Sequence, residues 1–408
     1  MIASRPRALI STIEPVDGGV PTMTRCIAGM LEACGIEPVF AWYAPWSKHP
    51  QLSVPLPAVA LGRHPGTISQ PAYGEHEGHG LGCWLPELEF THYLPRRLWR
   101  EQIDSCALHL SVTGNPLCAT PFARLGLPFL AWVATPWEAD RADRVAGFGR
   151  ARRLLDRHLN APVLRRLERC VLQAPQGRVM ALSGYTARAL EAIAGRPMDD
   201  ILRMPVDPLH FHPDPAATVP WRIGFTGRFG DPRKNITLLL EAVRHLLQRK
   251  RPVQLHLAGD RDQDSLLPEL EALGIADRVQ IHPPLAAKEL GGLLRSLDLF
   301  VIPSHQEGLC IAALEAMACG VPVVSTRCGG PEDYVLTGHT GTLVEADSSA
   351  MAAAIEAIAA DRELRQRLAE GAQAWVAHHA SPPVARAVFQ RLLGSTWPEL
   401  GSKLEALS

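Results

Sequence analysis

Lysine is scarce in this chain. Of 41 basic residues only Lys48, Lys234, Lys250, Lys288 and Lys403 are lysines, and the rest are arginine. With so few lysines after Lys288, a Schiff-base cofactor chemistry such as that of pyridoxal phosphate has little to work with. No apolar run approaches 18 residues, so no spanning helix is expected, and the opening MIASRPRALISTIEP is too short and too polar in its apolar part for a signal peptide. The expected location is therefore the cytoplasm. Net charge is also lacking: a formal −1 and a pI near 7.0 give no global attraction to nucleic acid or to an anionic membrane. The nine cysteines contain no C-x-x-C pair, so reduced thiols are expected in place of zinc or disulfides. Neither G-x-G-x-x-G nor G-x-x-x-x-G-K-[ST] occurs, which argues against a dinucleotide cofactor and against a P-loop ATPase. There is no internal repeat.

What the chain has is length and alternation. At 408 residues, 47% hydrophobic, it exceeds one ordinary core, and two domains are expected. Short apolar runs alternate with longer amphipathic stretches, as in parallel α/β units. A first series runs through RALISTI, EPVFAWY, ALHLSV, LPFLAWVA and RVMALS. A second runs through WRIGFTG, VQLHLAG, VQIHP, LDLFVIP and VPVVST. Prolines 205, 208, 213, 215 and 220 mark a linker between them. The expected division is 1–204, a linker 205–220, a second domain 221–379, and a tail 380–408 that crosses back to the first domain.

Two places invite a ligand. After the strand WRIGFT, Gly227 and Gly230 let the backbone approach a bound group, and Asp231 and Pro232 suit the cap and first residue of a helix over 233–247. A helix N-terminus there favours an anion, and Arg228 and Lys234 add formal charge, enough to neutralise a diphosphate without metal. The rarity of lysine makes Lys234 stand out, although a solvated surface lysine is the plain alternative. Glu307 and Glu315 lie eight positions apart where a strand gives way to a helix expected over 309–319. On one helix they would be about 12 Å apart along the axis and roughly 80° apart around it. Ionised carboxylates only accept hydrogen bonds, so such a pair suits the hydroxyls of a sugar and of a ribose.

The block EGLCIAALEAMACGVPVVSTRCGG resembles the signature of retaining glycosyltransferases of the GT-B fold, specifically family 4, which is similar to glycogen synthase. The resemblance extends through GFTGRFGDPRKNITLLLEAV, LHLAGD and YVLTGHTGTLVEAD, from Gly224 to Asp347. It implies an α/β GT-B protein: two Rossmann-like domains with parallel sheets facing across a cleft, a nucleotide diphosphate sugar as donor substrate, and no other cofactor or metal. It implies Arg228 and Lys234 as diphosphate ligands, Glu307 on the donor sugar and Glu315 on the ribose, with Gly227, Gly308 and Leu309 beside the donor. Gly18 and Gly19, before Pro21, resemble the family's glycine turn in the first domain; a plain strand-to-helix turn is the alternative reading. Many relatives carry a histidine at the end of the strand matching LPFLAWVA, where this chain reads Thr135, Pro136, Trp137, Glu138. His92, Trp137 and Glu138 are therefore acceptor-side candidates, with Glu89 beside His92; Trp137 either stacks on a sugar or simply packs, and His109 is a further replacement that reads more as a core histidine. The acceptor itself stays open.

Arg141 to Cys170 is the most basic stretch. With interleaved leucines it reads as an amphipathic helix that either touches anionic lipid peripherally or presents a solvated face. Asp260, Asp262, Asp264 and Glu271 fit four positions of a calcium loop, but Ser265 replaces its glycine. EHEGHG (75–80) reads as a glycine-rich loop with two histidines, a weak metal candidate. Three other readings remain: a sugar-nucleotide epimerase or hydrolase, a silent nucleotide-sugar-binding protein, and a glycan phosphorylase disfavoured by the scarcity of lysine.

Overall fold

The computed structural model describes residues 5–16, 18–214, 219–260 and 263–400. The chain divides into two compact units, Met1–Leu202 with Arg386–Ser408, and Arg203–Ala385. Each is built on its own sheet.

The first unit holds β1 (Arg7–Thr12), β2 (Glu37–Tyr43), β3 (Thr67–Ala72), β4 (His76–Leu81), β5 (Leu108–Thr113), β6 (Phe129–Val133), β7 (Gly177–Ala181) and β8 (Asp200–Ile201). They lie in the order β3-β4-β2-β1-β5-β6-β7-β8. Helices cover parallel sheets on both faces, so central strands read as unbroken apolar runs. All five residues of β6, FLAWV, are buried, as are all six of β5. The buried Trp132 indole donates to the Leu202 carbonyl (2.7 Å), so its polar edge is satisfied. His109, also buried, has its Nε2 near the Ile103 carbonyl, and burial lowers its pKa; it is the core histidine expected.

Two expectations are corrected here. EHEGHG is no loop: after Glu75 in the turn, His76–Gly80 lie in β4, paired antiparallel with β3, a hairpin whose half-polar pattern gives little alternation. His79 of that strand bonds Ser69 and Glu77 and leaves no open ligand set. The basic stretch is not one helix either. It breaks once, at residues 147–149, between the helix Trp137–Ala146 and a continuous helical run made of Arg150–Leu155, a π segment Asp156–Asn160 and Ala161–Leu172.

The second unit contains β9 (Arg222–Gly227), β10 (Gln254–Gly259), β11 (Val279–His282), β12 (Leu299–Ile302), β13 (Val323–Thr326) and β14 (Gly341–Val344), all parallel, in the order β11-β10-β9-β12-β13-β14. β12 and β13 are fully buried. In both sheets the chain winds outward in two directions from an adjacent pair, β1/β5 in the first and β9/β12 in the second. Such a switch point leaves a crevice at the carboxyl ends of the pair, where ligands of open α/β sheets bind.

Candidate functional site

In the second unit the carboxyl ends of β9 and β12 are Gly227 and Ile302, and the loops beyond them carry the expected residues. Gly227 has φ +155°, a conformation side chains avoid, and a Cβ there would meet the Phe225 ring at 3.3 Å. The next turn differs from expectation. Pro232–Lys234 is a 3₁₀ turn, Asn235 turns left-handed (φ 47°), and the α-helix begins only at Ile236, three residues later than the sequence suggested. Asp231 caps the 3₁₀ turn, its carboxylate accepting from the Arg233 amide (3.1 Å) and pairing with the Arg233 guanidinium (2.7 Å). These hydrogen bonds from Arg233 hold the Asp231 carboxyl below its ordinary pKa against the opposing effect of burial. Arg228 extends outward, about two-thirds exposed.

That break in the helix ties the two loops together. The Asn235 amide donates to the Pro303 carbonyl (3.2 Å), and the His305 amide to the Arg233 carbonyl (2.8 Å). Lys234 Nζ reaches Glu307 Oε1 at 2.7 Å, and Ser304 Oγ donates to the same oxygen at 2.7 Å. Burial alone would push the Lys234 ammonium down; the adjacent Glu307 carboxylate outweighs it and holds the pKa above normal. The lysine is therefore a fixed cation and Glu307 its buried counter-charge.

Glu307 is not on the helix with Glu315. It bridges backbone to backbone with Gly329 across the sheet end, its amide donating to Cys328 O and its carbonyl accepting from Gly330 N. The α-helix runs Ile311–Ala318, with Cys310 left-handed at its start (φ 63°), so Gly308 and Leu309 form the turn before it. The axial spacing inferred from a shared helix does not apply. Glu315 lies in the helix proper, and burial raises its pKa to about 7.

Sequence reasoning missed the second layer. Tyr334 is fully buried, and its hydroxyl donates to the Leu309 carbonyl at 2.6 Å, holding the strained turn from behind. Gly330 packs so closely that a Cβ would lie 2.3 Å from Gly308 O. Both belong to the stretch Cys328–Tyr334, about 20 residues downstream, and no local pattern announces the contact.

In the first unit Gly18 (φ 144°) stands at the N-terminus of helix Gly19–Ala33, with Gly19 opening it, and both are exposed. The acceptor-side candidates separate. His92 lines a cavity in this unit, stacked on Tyr43 with ring centroids 3.7 Å apart. Burial lowers its pKa to about 4, so it is neutral at physiological pH. Trp137 is corrected: the ring is 1% exposed, 4.4 Å from the Arg141 guanidinium, and packs instead of offering a face to a sugar. Glu138 is exposed and paired with Arg165, away from that cavity. Arg141 is also corrected as a lipid-facing cation, since it is buried between Asp156 (2.5 Å) and Glu89 (3.3 Å). Among the described residues no cluster of three or more metal-ligating side chains occurs. Asp262 of the calcium-loop reading lies outside them, and Asp260 instead accepts from the Gly230 amide.

Residues 220–361, which span this second-unit site, match the family model described as Glycosyl transferases group 1. That segment is thus similar to group 1 glycosyltransferases. Among curated proteins it is similar to a D-inositol 3-phosphate glycosyltransferase of Xylanimonas cellulosilytica, 39% identical over 146 residues, 35% of this chain and 34% of that protein. Another of that name, from Arthrobacter sp. (strain FB24), is 28% identical over 82% of this chain and 79% of its own length. Several such matches span only about a third of the relative. Among solved structures, sucrose-phosphate synthase from Thermosynechococcus elongatus superposes with TM-score 0.71 at 19% identity, covering 97% of this chain and all of that one. Anabaena HepE, in complex with UDP and glucose, gives TM-score 0.67 at 17% identity over 96% and 100%. These likenesses establish the fold, two Rossmann-like α/β domains of the GT-B type. The matched segment lies within the second unit and includes the loops after β9 and β12 that carry Arg228, Lys234 and Glu307.

Proposed function

We propose that this protein is a retaining glycosyltransferase that moves a sugar from a nucleotide diphosphate donor to an acceptor without a metal ion. The observation that carries the reading is the Lys234–Glu307 ion pair, set between two helix starts at the switch point of the second sheet. A fixed cation beside backbone amides suits a diphosphate. Lys234 and the extended Arg228 neutralise the charge that develops on the leaving group. Glu307 receives both its contacts on Oε1, and its other oxygen accepts a donor-sugar hydroxyl. Glu315 accepts from a ribose hydroxyl, and the amides of Gly308 and Leu309 approach the phosphates. The Gly18–Gly19 turn of the first unit offers amides to the donor phosphate or to the acceptor. No protein nucleophile is required: in front-face substitution the bond from the anomeric carbon to the diphosphate breaks as the acceptor oxygen bonds on the same face, and the departing diphosphate takes the acceptor proton.

The test is calorimetric titration in EDTA against nucleotide diphosphates and their sugars, beginning with UDP and UDP-glucose because HepE is solved with both. Micromolar binding by one base, weakened in Glu315→Gln, supports the donor site; no binding by any member defeats it. Retention is read by proton NMR from the anomeric configuration of the first product. A strict requirement for a divalent cation would remove the metal-free part of the reading.

Peripheral contact with an anionic bilayer belongs to the same proposal. Leu154, Leu155 and Leu159 are 61, 40 and 40% exposed, and Arg150, Arg152, Arg153 and Arg157 are exposed among them. No described helix is long and apolar enough to cross a membrane.

A further inference from the structure

The first unit repeats the logic of the second. At its own switch point, between β1 and β5, the segments that follow β1, β2 and β5 open onto a cavity of about 490 Å³, within the range of small-molecule sites. Its floor includes Thr12, Glu14 and Cys118, and one wall is the stacked pair Tyr43 and His92. None of the donor-site residues of the second unit lines it.

The charges of this cavity are already spent on one another. Lys48 donates to Glu14 at 2.7 Å, and His49 contacts the same carboxylate at 3.0 Å. Burial alone would raise the Glu14 pKa, but these hydrogen bonds hold it below normal, so the group is ionised. Arg141 lies between Asp156 and Glu89. Of the three lining cations only Arg152 has no carboxylate partner among the described residues; its guanidinium sits 4.4 Å from the Phe148 ring centroid. Four carboxylates line the cavity against three cations, and Glu87 stands exposed with one backbone amide as partner. A phosphate entering here would meet net negative charge, and two of the three cations, Lys48 and Arg141, would first have to leave their carboxylate partners. A hydroxyl-rich, uncharged molecule meets the opposite: carboxylate oxygens accept from its hydroxyls, and flat aromatic rings offer apolar faces to its C–H surface.

We infer that this cavity is the acceptor site and that it takes a neutral polyhydroxylated acceptor, a monosaccharide or cyclitol without phosphate, free or as the end of a lipid or glycan carrier. The inference rests on the transferase reading for the word acceptor, and its binding test does not depend on the donor site. Saturation-transfer NMR on the full chain would compare myo-inositol, methyl glucoside and octyl glucoside with inositol 3-phosphate and glucose 6-phosphate, at low and high salt. The neutral probes are expected to bind, the phosphorylated ones about tenfold more weakly or worse, and Glu87→Gln and Tyr43→Ala to weaken the neutral probes by about tenfold. Preference for octyl over methyl glucoside would assign a lipid-carried acceptor; equal binding would assign a free sugar or glycan end. Tighter binding of the phosphorylated probes, lost in Arg152→Ala, overturns the inference. So does the failure of every probe to bind. If the neutral probes bind while no nucleotide sugar does, the cavity stands and the transferase reading falls.

Discussion

The Lys234–Glu307 pair couples stability to function at a single contact. On the proposed function, removing the lysine takes away a charge-assisted contact to the diphosphate, worth about 1.5–3 kcal/mol, or roughly tenfold to over a hundredfold in affinity or rate. It also strands Glu307, only 6% exposed, and breaking a buried pair from one side costs about 3–5 kcal/mol. Lys234→Ala should therefore both melt early and bind nucleotide poorly. Lys234→Ala combined with Glu307→Gln should recover much of the melting temperature and none of the binding. Recovery of both would show the pair to be structural only. Glu315 gives a pH signature. Burial holds its pKa near 7, above the unfolded value, so the folded protein binds this proton more tightly than the unfolded chain does. Its contribution to stability is greatest below about pH 4.5 and is lost as pH rises through 7. Ligand binding runs the other way, because only the ionised carboxylate accepts at both oxygens. Affinity for a nucleotide sugar, whose diphosphate does not titrate here, should rise from pH 6 to pH 8. In Glu315→Gln it should be weak and flat over that range, and a Glu315→Gln protein with the same pH slope would place the titration elsewhere. Tyr334→Phe keeps the buried ring and removes one hydroxyl. Unfolding should cost about 1 kcal/mol less, while donor affinity falls severalfold because the Leu309 turn loses its rear support.

Among the elements, the most informative are the ones that break. A continuous helix from Arg233 would have kept Lys234 on the helix; the 3₁₀ turn and left-handed Asn235 place it at the loop after β12 instead. Asn tolerates that conformation and its amide is used at the same time, so Asn235→Ala should lose both the Pro303 contact and the backbone preference. The basic segment breaks at residues 147–149, and within the helix that follows a π segment, Asp156–Asn160, buries Asp156 and Asn160 while Leu154, Leu155 and Leu159 stay outside. If those leucines insert into lipid, Leu154→Ser with Leu155→Ser should abolish co-sedimentation with vesicles rich in anionic phospholipid and leave binding of UDP or its sugars intact. Wild-type protein that ignores such vesicles at low salt would end the membrane proposal.

Across the whole molecule, the chain divides into two units with separate sheets, which gives the donor reading a thermal signature. A nucleotide that binds the folded second unit at about 100 times its dissociation constant stabilises it by about 2.7 kcal/mol. If scanning calorimetry shows two transitions, only that of the second unit should move with nucleotide. Movement of the other alone would assign the nucleotide to the first unit.

How much was legible follows the range of the interactions. Strands with both faces covered had to be apolar throughout, so FLAWV, LFVI and VVST could be read as sheet from the chain alone. Turn chemistry in Gly227–Asp231 and the glutamate block marked the loops after β9 and β12, because glycine, aspartate and proline act within a few residues. The β3–β4 hairpin stayed hidden because its residues alternate weakly and half face outward, and the break at residues 147–149 because the basic, leucine-bearing pattern runs on across it. Composition and local pattern thus determined two parallel α/β units and which loops carry charge. Only the tertiary structure decided that Lys234 meets Glu307 across 73 residues, that Tyr334 holds Leu309, and that Trp137 and Arg141 are buried, since each depends on partners that chain order does not bring together.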